Sequence, residues 1–357
     1  MSDRSAIEWT DATWNPTRGC SRVSAGCDNC YAIRTAARFA AAGQPYAGLT
    51  QRKASGKASG YDWTGKLTIA DEETLLQPLR WRKPRRIFVD SMSDLFHPAL
   101  PAAIVDHVYA VAALCPQHTF QILTKRPRRA AAWYRLAMPA KTKSGRAELT
   151  TPERVGLAVL RITTDAIAQN PRAKIGRDVQ LGGPHGELTT WPLPNVWLGA
   201  SVENQETANE RIPPLLECPA AVRFLSCEPL LGPIDLTRLQ YPDGASDNLY
   251  TCVPRQPAPG ESRVDWLIAG GESGPGARPC HPDWPRALRE QCASAGVPFF
   301  FKQWGEWLPS LQDGNRDVPA PEWNASDDPI RVGKHRAGRL LDGRQYHEFP
   351  QPQEASP

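Results

Sequence analysis

Three thiols stand close together in Cys20-Ser-Arg-Val-Ser-Ala-Gly-Cys27-Asp-Asn-Cys30. Cysteine sulfur is a soft donor, and three such donors on one short loop can hold three corners of a metal centre. A structural zinc site takes four protein ligands, whereas a catalytic metal keeps one position open. Cubane iron–sulfur clusters are held by cysteines, ordinarily four. No fourth ligand stands beside these three, so the loop reads as a centre with an open coordination position. Gly19 and Gly26 let the backbone wrap closely around a bulky group. The stretch Tyr31 to Ala40 has helical character, which places Cys30 at or just before a helix N-terminus. There the dipole and the N–H groups of the first turn stabilise thiolate or sulfide charge.

Two other readings of the thiols stay open. A closed zinc site would need a distant fourth ligand from Cys115, Cys227, Cys280 or His97. The absence of a second paired cysteine motif favours the open iron–sulfur reading over zinc. The pair Cys27-Asp-Asn-Cys30 has the spacing of a thiol redox couple, but no thioredoxin-like βαβ pattern adjoins it.

Such a loop needs a stiff support, and the chain supplies a repeated one. Six apolar runs (86–90, 119–123, 195–199, 222–225, 264–268 and 298–301) each end in a polar or glycine-rich turn, and most lead into a helical stretch. Continuous apolar strands alternating with helices argue for a parallel sheet covered on both faces. With a seventh strand just before Cys20, the expected fold class is α/β: a partial or near-complete (β/α) barrel of parallel strands, TIM-barrel-like, rather than a doubly wound sheet. In either arrangement the reacting groups belong at the C-terminal ends of the strands.

Those ends are polar: Asp90, Ser91, Ser93 and Asp94; Thr124, Lys125 and Arg126; Ser201, Glu203 and Asn204; Ser226, Cys227 and Glu228; Gly270 to Ser273; Lys302 and Gln303. Any one of them suits a helix cap. As a ring they suit the grip on a cofactor and substrate. The barrel is expected over residues 1–308, with insertions at about 139–193 and 241–263, the first containing a helical stretch from Thr151 to Gln169. Gln51 to Gly65 reads as a flexible or ligand-ordered loop, and 309–357 as a Pro-rich, loosely packed tail.

Composition narrows the function classes. No apolar run approaches the roughly 20 residues needed to span a bilayer, so no membrane partner is expected. The N-terminus lacks a basic region followed by an apolar core. Nine cysteines, an odd number dispersed through the chain, do not form a disulfide framework, and a cytoplasmic location fits. Net charge is +4, from 42 Lys+Arg against 38 Asp+Glu, too mild to imply nucleic acid by itself. Two basic runs, Arg80 to Arg86 and Lys125 to Arg129, read either as solvated surface or as a phosphate-contacting face. The 12 tryptophans offer rings on which bases could stack.

The segments Ile7-Glu-Trp-Thr-Asp-Ala-Thr-Trp-Asn-Pro16, Gly26 to Ala32, Phe88 to His97, Leu123-Thr-Lys-Arg126, Phe224 to Leu230 and Gly270 to Gly274 together resemble the phage-associated three-Cys-motif proteins. The resemblance runs from Ile7 to about Trp307, and that family in turn resembles a divergent branch of the radical SAM superfamily. It implies a [4Fe-4S] cluster on Cys20, Cys27 and Cys30, with S-adenosylmethionine at the fourth iron. A reductant such as flavodoxin or ferredoxin would supply the electron, and the resulting 5′-deoxyadenosyl radical would abstract hydrogen from a nucleotide or nucleic-acid base. Tyr31, Ser91, Ser93, Asp94, Ser201 and Glu203 are the cofactor-binding candidates. Lys125, Glu228, Glu272 and Lys302 are candidates for orienting substrate or moving protons, or for rim salt bridges.

The chain departs from the superfamily pattern at three places. The usual cysteine loop has a shorter first gap than the six residues between Cys20 and Cys27. Asn29 stands before the last cysteine where an aromatic is usual, and Tyr31 follows it. Gly270-Gly271-Glu272 follows a late strand rather than the second, so the amino-group-binding role falls by position on Ser91 to Asp94. The alternative is a non-catalytic metal- or cluster-containing protein that binds nucleic acid or a partner and works with an associated methyltransferase.

Overall fold

Seven strands hydrogen-bond side by side in one parallel sheet, in the same order in which they occur along the chain. They are β1 (Ala12–Trp14), β2 (Arg86–Val89), β3 (Thr119–Thr124), β4 (Val196–Ser201), β5 (Val222–Cys227), β6 (Trp266–Gly270) and β7 (Phe299–Gln303). The computed structural model describes residues 5–53, 60–142, 145–169, 179–183, 186–240, 251–254, 261–309 and 329–351. Most of the 241–263 insertion therefore lies outside the described residues. Each crossover delivers the chain to the neighbouring strand. That is the order of a (β/α) barrel, whereas a doubly wound sheet reverses direction at a switch point. With β1 at one edge and β7 at the other, the chain is an α/β protein with a partial (β/α)-barrel arrangement.

The chain divides into two compact units, Met1–Ser21 with Thr64–Leu198 and Glu217–Ala221, and Arg22–Trp63 with Gly199–Leu216 and Val222–Pro357. The first carries β1 to β3 and the helices α2 (Ala102–Ala113), α3 (Pro127–Arg135) and α4 (Thr151–Gln169). Its strands pair in register Ala12↔Ile87 and Ile87↔Phe120, and Trp14 meets Phe120 edge-on at 5.9 Å. Every residue of α2 from Val108 to Ala113 is buried, as a helix must be when it lies between a sheet and a further helix. The further helix is α4, which lies where the sequence placed a helical stretch inside the 139–193 insertion. Its Arg154 forms a buried ion pair with Asp106 of α2 at 3.1 Å, and Trp133 Nε1 donates to the same carboxylate at 2.9 Å.

The second unit carries β5 to β7, α1 (Tyr31–Arg38), α5 (Gln205–Leu216) and α6 (Asp283–Ala295). All five residues of β6 are buried, and Ile268 pairs with Phe300 of β7. Residues 329–351 differ from the loose tail expected of them. Phe349 lies 5.1 Å from the Trp266 ring, Trp266 Nε1 donates to Glu348 O at 2.9 Å, and Asp342 pairs with Arg289 of α6 at 2.6 Å. Aromatic anchors in a Pro-rich stretch thus fasten it to the sheet. Residues 310–328 and 352–357 lie outside the described residues.

Two further findings bear on function. No described helix is long and apolar enough to cross a membrane. No tryptophan among the described residues is exposed, and Trp14, Trp266 and Trp304 are among the most buried side chains. Most of the indoles build the core and four, Trp191, Trp197, Trp284 and Trp307, are half-buried, which weakens the support they lent to base stacking.

Candidate functional site

The nine cysteines fall into two groups. Cys115, Cys218, Cys227, Cys252, Cys280 and Cys292 are buried, whereas Cys20, Cys27 and Cys30 are half-buried. Burial pushes the thiols of Cys115 and Cys292 up to about 12, as expected of structural cysteines in apolar surroundings. Among the described residues no three His, Cys, Asp or Glu side chains gather at metal-binding spacing. The fit of a metal or cluster therefore rests on the donor set itself: three soft, half-buried thiols on one glycine-flanked loop, segregated from the six in the core.

Cys20 sits at the strand ends of the first unit, on a loop tied down from β1, β2 and β3. Gly19 has φ +93°, and a Cβ there would lie 2.3 Å from Lys66 O, so only glycine fits this approach. Ser93 Oγ donates to Gly19 O at 2.7 Å, and Gly19 N donates to Met92 O at 3.2 Å. Ser91 donates to Asn15 Oδ1 at 3.1 Å. The Asp94 carboxylate accepts from Thr124 Oγ1 at 2.7 Å, Lys125 N at 3.1 Å, Phe96 N at 3.0 Å and Arg126 Nη1 at 2.8 Å.

Arg126 in turn reaches the cysteine. Its Nη1 lies 3.8 Å from Cys20 Sγ, and its Nη2 donates to Ser21 O and Ser21 Oγ, each at 2.9 Å. His97 completes the contact. Ala99 N donates to its Nδ1 at 3.2 Å, so the ring proton is on Nε2 and donates to Ser21 Oγ at 2.8 Å. Burial and the Arg126 charge hold His97 below the usual imidazole range. Burial, reinforced by Asp94, pushes the Cys20 thiol up to about 12, and Arg126 opposes that rise. A neighbouring cation favours thiolate, the form that binds metal.

Beneath this shell, Asp90 is buried with φ +58° and accepts from Thr17 N at 3.0 Å and Thr17 Oγ1 at 2.9 Å. Burial pushes its carboxyl up to about 7.

Cys27 and Cys30 belong to the second unit, where two further carboxylates hold the loop. Glu203, after β4, is buried and pairs with Arg211 of α5 at 3.0 Å, while Ser24 Oγ donates to its Oε1 at 2.9 Å. A Cβ on Gly26 would lie 2.3 Å from that same Oε1, so the backbone rests directly on the acid. Glu272, after β6, accepts from Arg278 Nη2 at 2.7 Å, Arg278 Nε at 2.9 Å and Asn29 Nδ2 at 3.0 Å. Arg278 Nη2 also donates to Ala25 O at 2.9 Å. Between these fixings the chain turns tightly, with Cys27 N donating to Ser24 O at 2.9 Å. Cys30 is the residue that opens α1, at φ −53° and ψ 122°, and Tyr31 beside it is 49 % exposed.

The structure thus places Asp94 behind Arg126 at Cys20, and it places Glu203 and Glu272 against the Ser24 to Asn29 segment, each of the three paired with an arginine. Ser93 holds Gly19 O, and Ser201 contributes its carbonyl to Arg211 at 2.8 Å. Lys302 and Glu228 form a separate pair, with Nζ 2.7 Å from Oε1 and 2.9 Å from Oε2. Sequence reading singled out the acids, and Arg126 in the polar ring, but not the partners Arg211 and Arg278, nor Ser24. A carboxylate that stays ionised when buried needs a cation, which Arg126, Arg211 and Arg278 supply.

A family described as protein of unknown function (DUF5131) matches residues 4–350 of the chain. No curated protein and no solved structure matches it.

Proposed function

We propose that this chain, which belongs to the DUF5131 family of proteins of unknown function, is an iron–sulfur, S-adenosylmethionine-dependent radical enzyme that modifies a nucleotide or nucleic-acid base. The observation that carries the reading is the segregation of the thiols: six cysteines are buried and the three of the loop are not. The resemblance to phage-associated three-Cys-motif proteins, and through them to radical SAM enzymes, supports it. Cys20, Cys27 and Cys30 would hold the cluster. When bound, such a cluster supplies one electron to the sulfonium of S-adenosylmethionine and so a 5′-deoxyadenosyl radical for hydrogen abstraction.

The remaining roles belong to the chain's own residues. Arg126 compensates negative charge at Cys20 from 3.8 Å. Glu203 and Glu272 hold the backbone between Ser24 and Asn29, so the loop is shaped before any ligand binds. Tyr31, exposed at the start of α1, offers a ring beside Cys30. Lys302 can deliver or take a proton at Nζ, with Glu228 as its counter-ion. A reducing cytoplasm and a flavodoxin- or ferredoxin-type donor complete the reading.

Anaerobic reconstitution tests it: about four iron and four sulfide per chain are expected, with loss of iron in a Cys20→Ala/Cys27→Ala/Cys30→Ala variant. Stoichiometric zinc without iron would overturn it and leave the non-catalytic, methyltransferase-associated role. Formation of 5′-deoxyadenosine on addition of S-adenosylmethionine and dithionite then separates catalysis from mere cluster binding.

A further inference from the structure

Several side chains of the two basic runs conspicuous in the sequence are occupied by the protein itself. Arg80 pairs with Glu73 at 3.1 Å, Arg86 pairs with Asp11 at 3.0 Å, and Arg85 lies 4.9 Å over the Trp81 ring. Arg126 is turned inward onto Asp94. The tail segment Arg331 to Arg344 is different. It carries Arg331, Lys334, Arg336, Arg339 and Arg344 against a single acid, Asp342. That acid is already held by Arg286 at 2.7 Å and Arg289 at 2.6 Å of α6. Arg336, Arg339 and Arg344 are exposed, and none has an ion pair among the described residues. Arg331 pairs with Glu306 at 3.9 Å, so the uncompensated charge of this stretch lies on Arg336, Arg339 and Arg344.

The patch is fixed in place. Arg344 lies 5.2 Å over the Tyr346 ring and Arg331 lies 5.9 Å over Trp307. An exposed guanidinium is a planar fork that meets phosphate with two parallel hydrogen bonds. The patch is also joined to the loop that positions the cysteine segment. Arg331 Nη2 donates to Gly274 O at 3.3 Å, and Trp307 Nε1 donates to Ala277 O at 2.6 Å. That stretch carries Glu272 and Arg278, which hold Asn29 and Ala25 beside Cys27.

We infer that Arg331 to Arg344 binds the phosphate backbone of a nucleic-acid strand, so that the substrate is a polymer rather than a free nucleotide. The inference narrows the substrate of the reading given above and takes its meaning from it, but its test needs neither cluster nor cofactor. Full-length protein is titrated into a labelled single-stranded oligonucleotide of about 20 nucleotides, read by fluorescence anisotropy across a salt series. The unsubstituted protein should bind with strong salt dependence. Arg336→Gln/Arg339→Gln should weaken binding about tenfold and lower the slope of log affinity against log salt by roughly 0.7 for each arginine removed. Arg336→Lys/Arg339→Lys should keep the slope, and Arg82→Gln/Lys83→Gln in the 80–86 run should change affinity by less than about twofold.

Absence of binding, equal binding by the Gln variant, or adsorption to phosphatidylserine vesicles with none to the oligonucleotide would each overturn the inference. Iron content measured on the same preparations keeps the two claims apart. Iron without oligonucleotide binding removes the polymer substrate alone, and the converse removes the cluster alone.

Discussion

Cys20 and the Cys27–Cys30 segment lie on one loop, yet they are held by different physics. At Cys20 a charged group reaches the sulfur: Arg126 stands 3.8 Å away, with its own counter-ion Asp94 behind it. Around Cys27 and Cys30 the arginines grip acids and backbone carbonyls, and Asn29 donates to one of those acids. Arg211 lies 1 % exposed against Glu203, and Arg278 spans Glu272 and Ala25 O. At one end an arginine reaches the sulfur itself, and at the other the backbone is fixed by packing and hydrogen bonds, with Arg22 paired to Asp28 beside Cys27. Polar residues at strand ends can therefore serve a reactive loop in two ways, by setting the chemistry of an atom or by setting its position.

The largest effect expected from breaking this arrangement is at Arg211. Arg211→Met leaves the Glu203 carboxylate buried without its cation, which costs about 3–5 kcal/mol. Chemical denaturation should show that loss, with loosening of the Cys27 segment visible as faster hydrogen exchange at Gly26 to Asn29. Cys20 reactivity should be unchanged by it. Gly26→Ala comes next, because the new methyl would lie 2.3 Å from Glu203 Oε1. Overpacking of this kind costs about 1–3 kcal/mol. Combining it with Glu203→Asp, which withdraws the carboxylate, should recover part of the loss.

A smaller effect sharpens the contrast. Arg126→Met removes the group that opposes the rise of the Cys20 thiol, so alkylation of Cys20 at pH 8, read by peptide mapping, should slow. Asp94→Asn removes a charge that raises it and should speed the reaction. Neither change should alter the alkylation of Cys27. If both variants leave Cys20 unaffected, the charge-tuned half of the comparison fails.

Part of this is legible in the sequence. The strands were readable because parallel strands buried on both faces are continuous apolar runs, as in Val222 to Leu225 and Phe299 to Phe301. The helix Thr151–Gln169 was readable from its periodicity. The acids at the strand ends were readable as a ring, but two of their arginines were not, because Arg211 and Arg278 are chosen by helix and loop packing rather than by spacing. The anchoring of 329–351 was also hidden, since Trp266 meets Phe349 across a long sequence separation. Composition misled about tryptophan for a related reason. An indole serves a core or a base equally well, and only burial distinguishes them.

A pH dependence is expected at Asp90. Its carboxyl keeps its proton to about pH 7 in the folded protein, against 3.8 for the free group. Between those values the folded state binds the extra proton, so this contribution to stability falls as pH rises. Compared with the unsubstituted chain, Asp90→Asn should be relatively more stable at pH 8 than at pH 5. Thermal unfolding at the two pH values measures the difference.

The most direct test of the central claim, that Cys20, Cys27 and Cys30 hold a cluster with one open position, is electron paramagnetic resonance of the anaerobically reconstituted, dithionite-reduced protein. Recorded before and after addition of S-adenosylmethionine, the spectrum of a reduced cubane should appear and then change as the cofactor occupies the open iron. A cluster signal that does not respond, or no cluster signal in protein loaded with zinc, would contradict it.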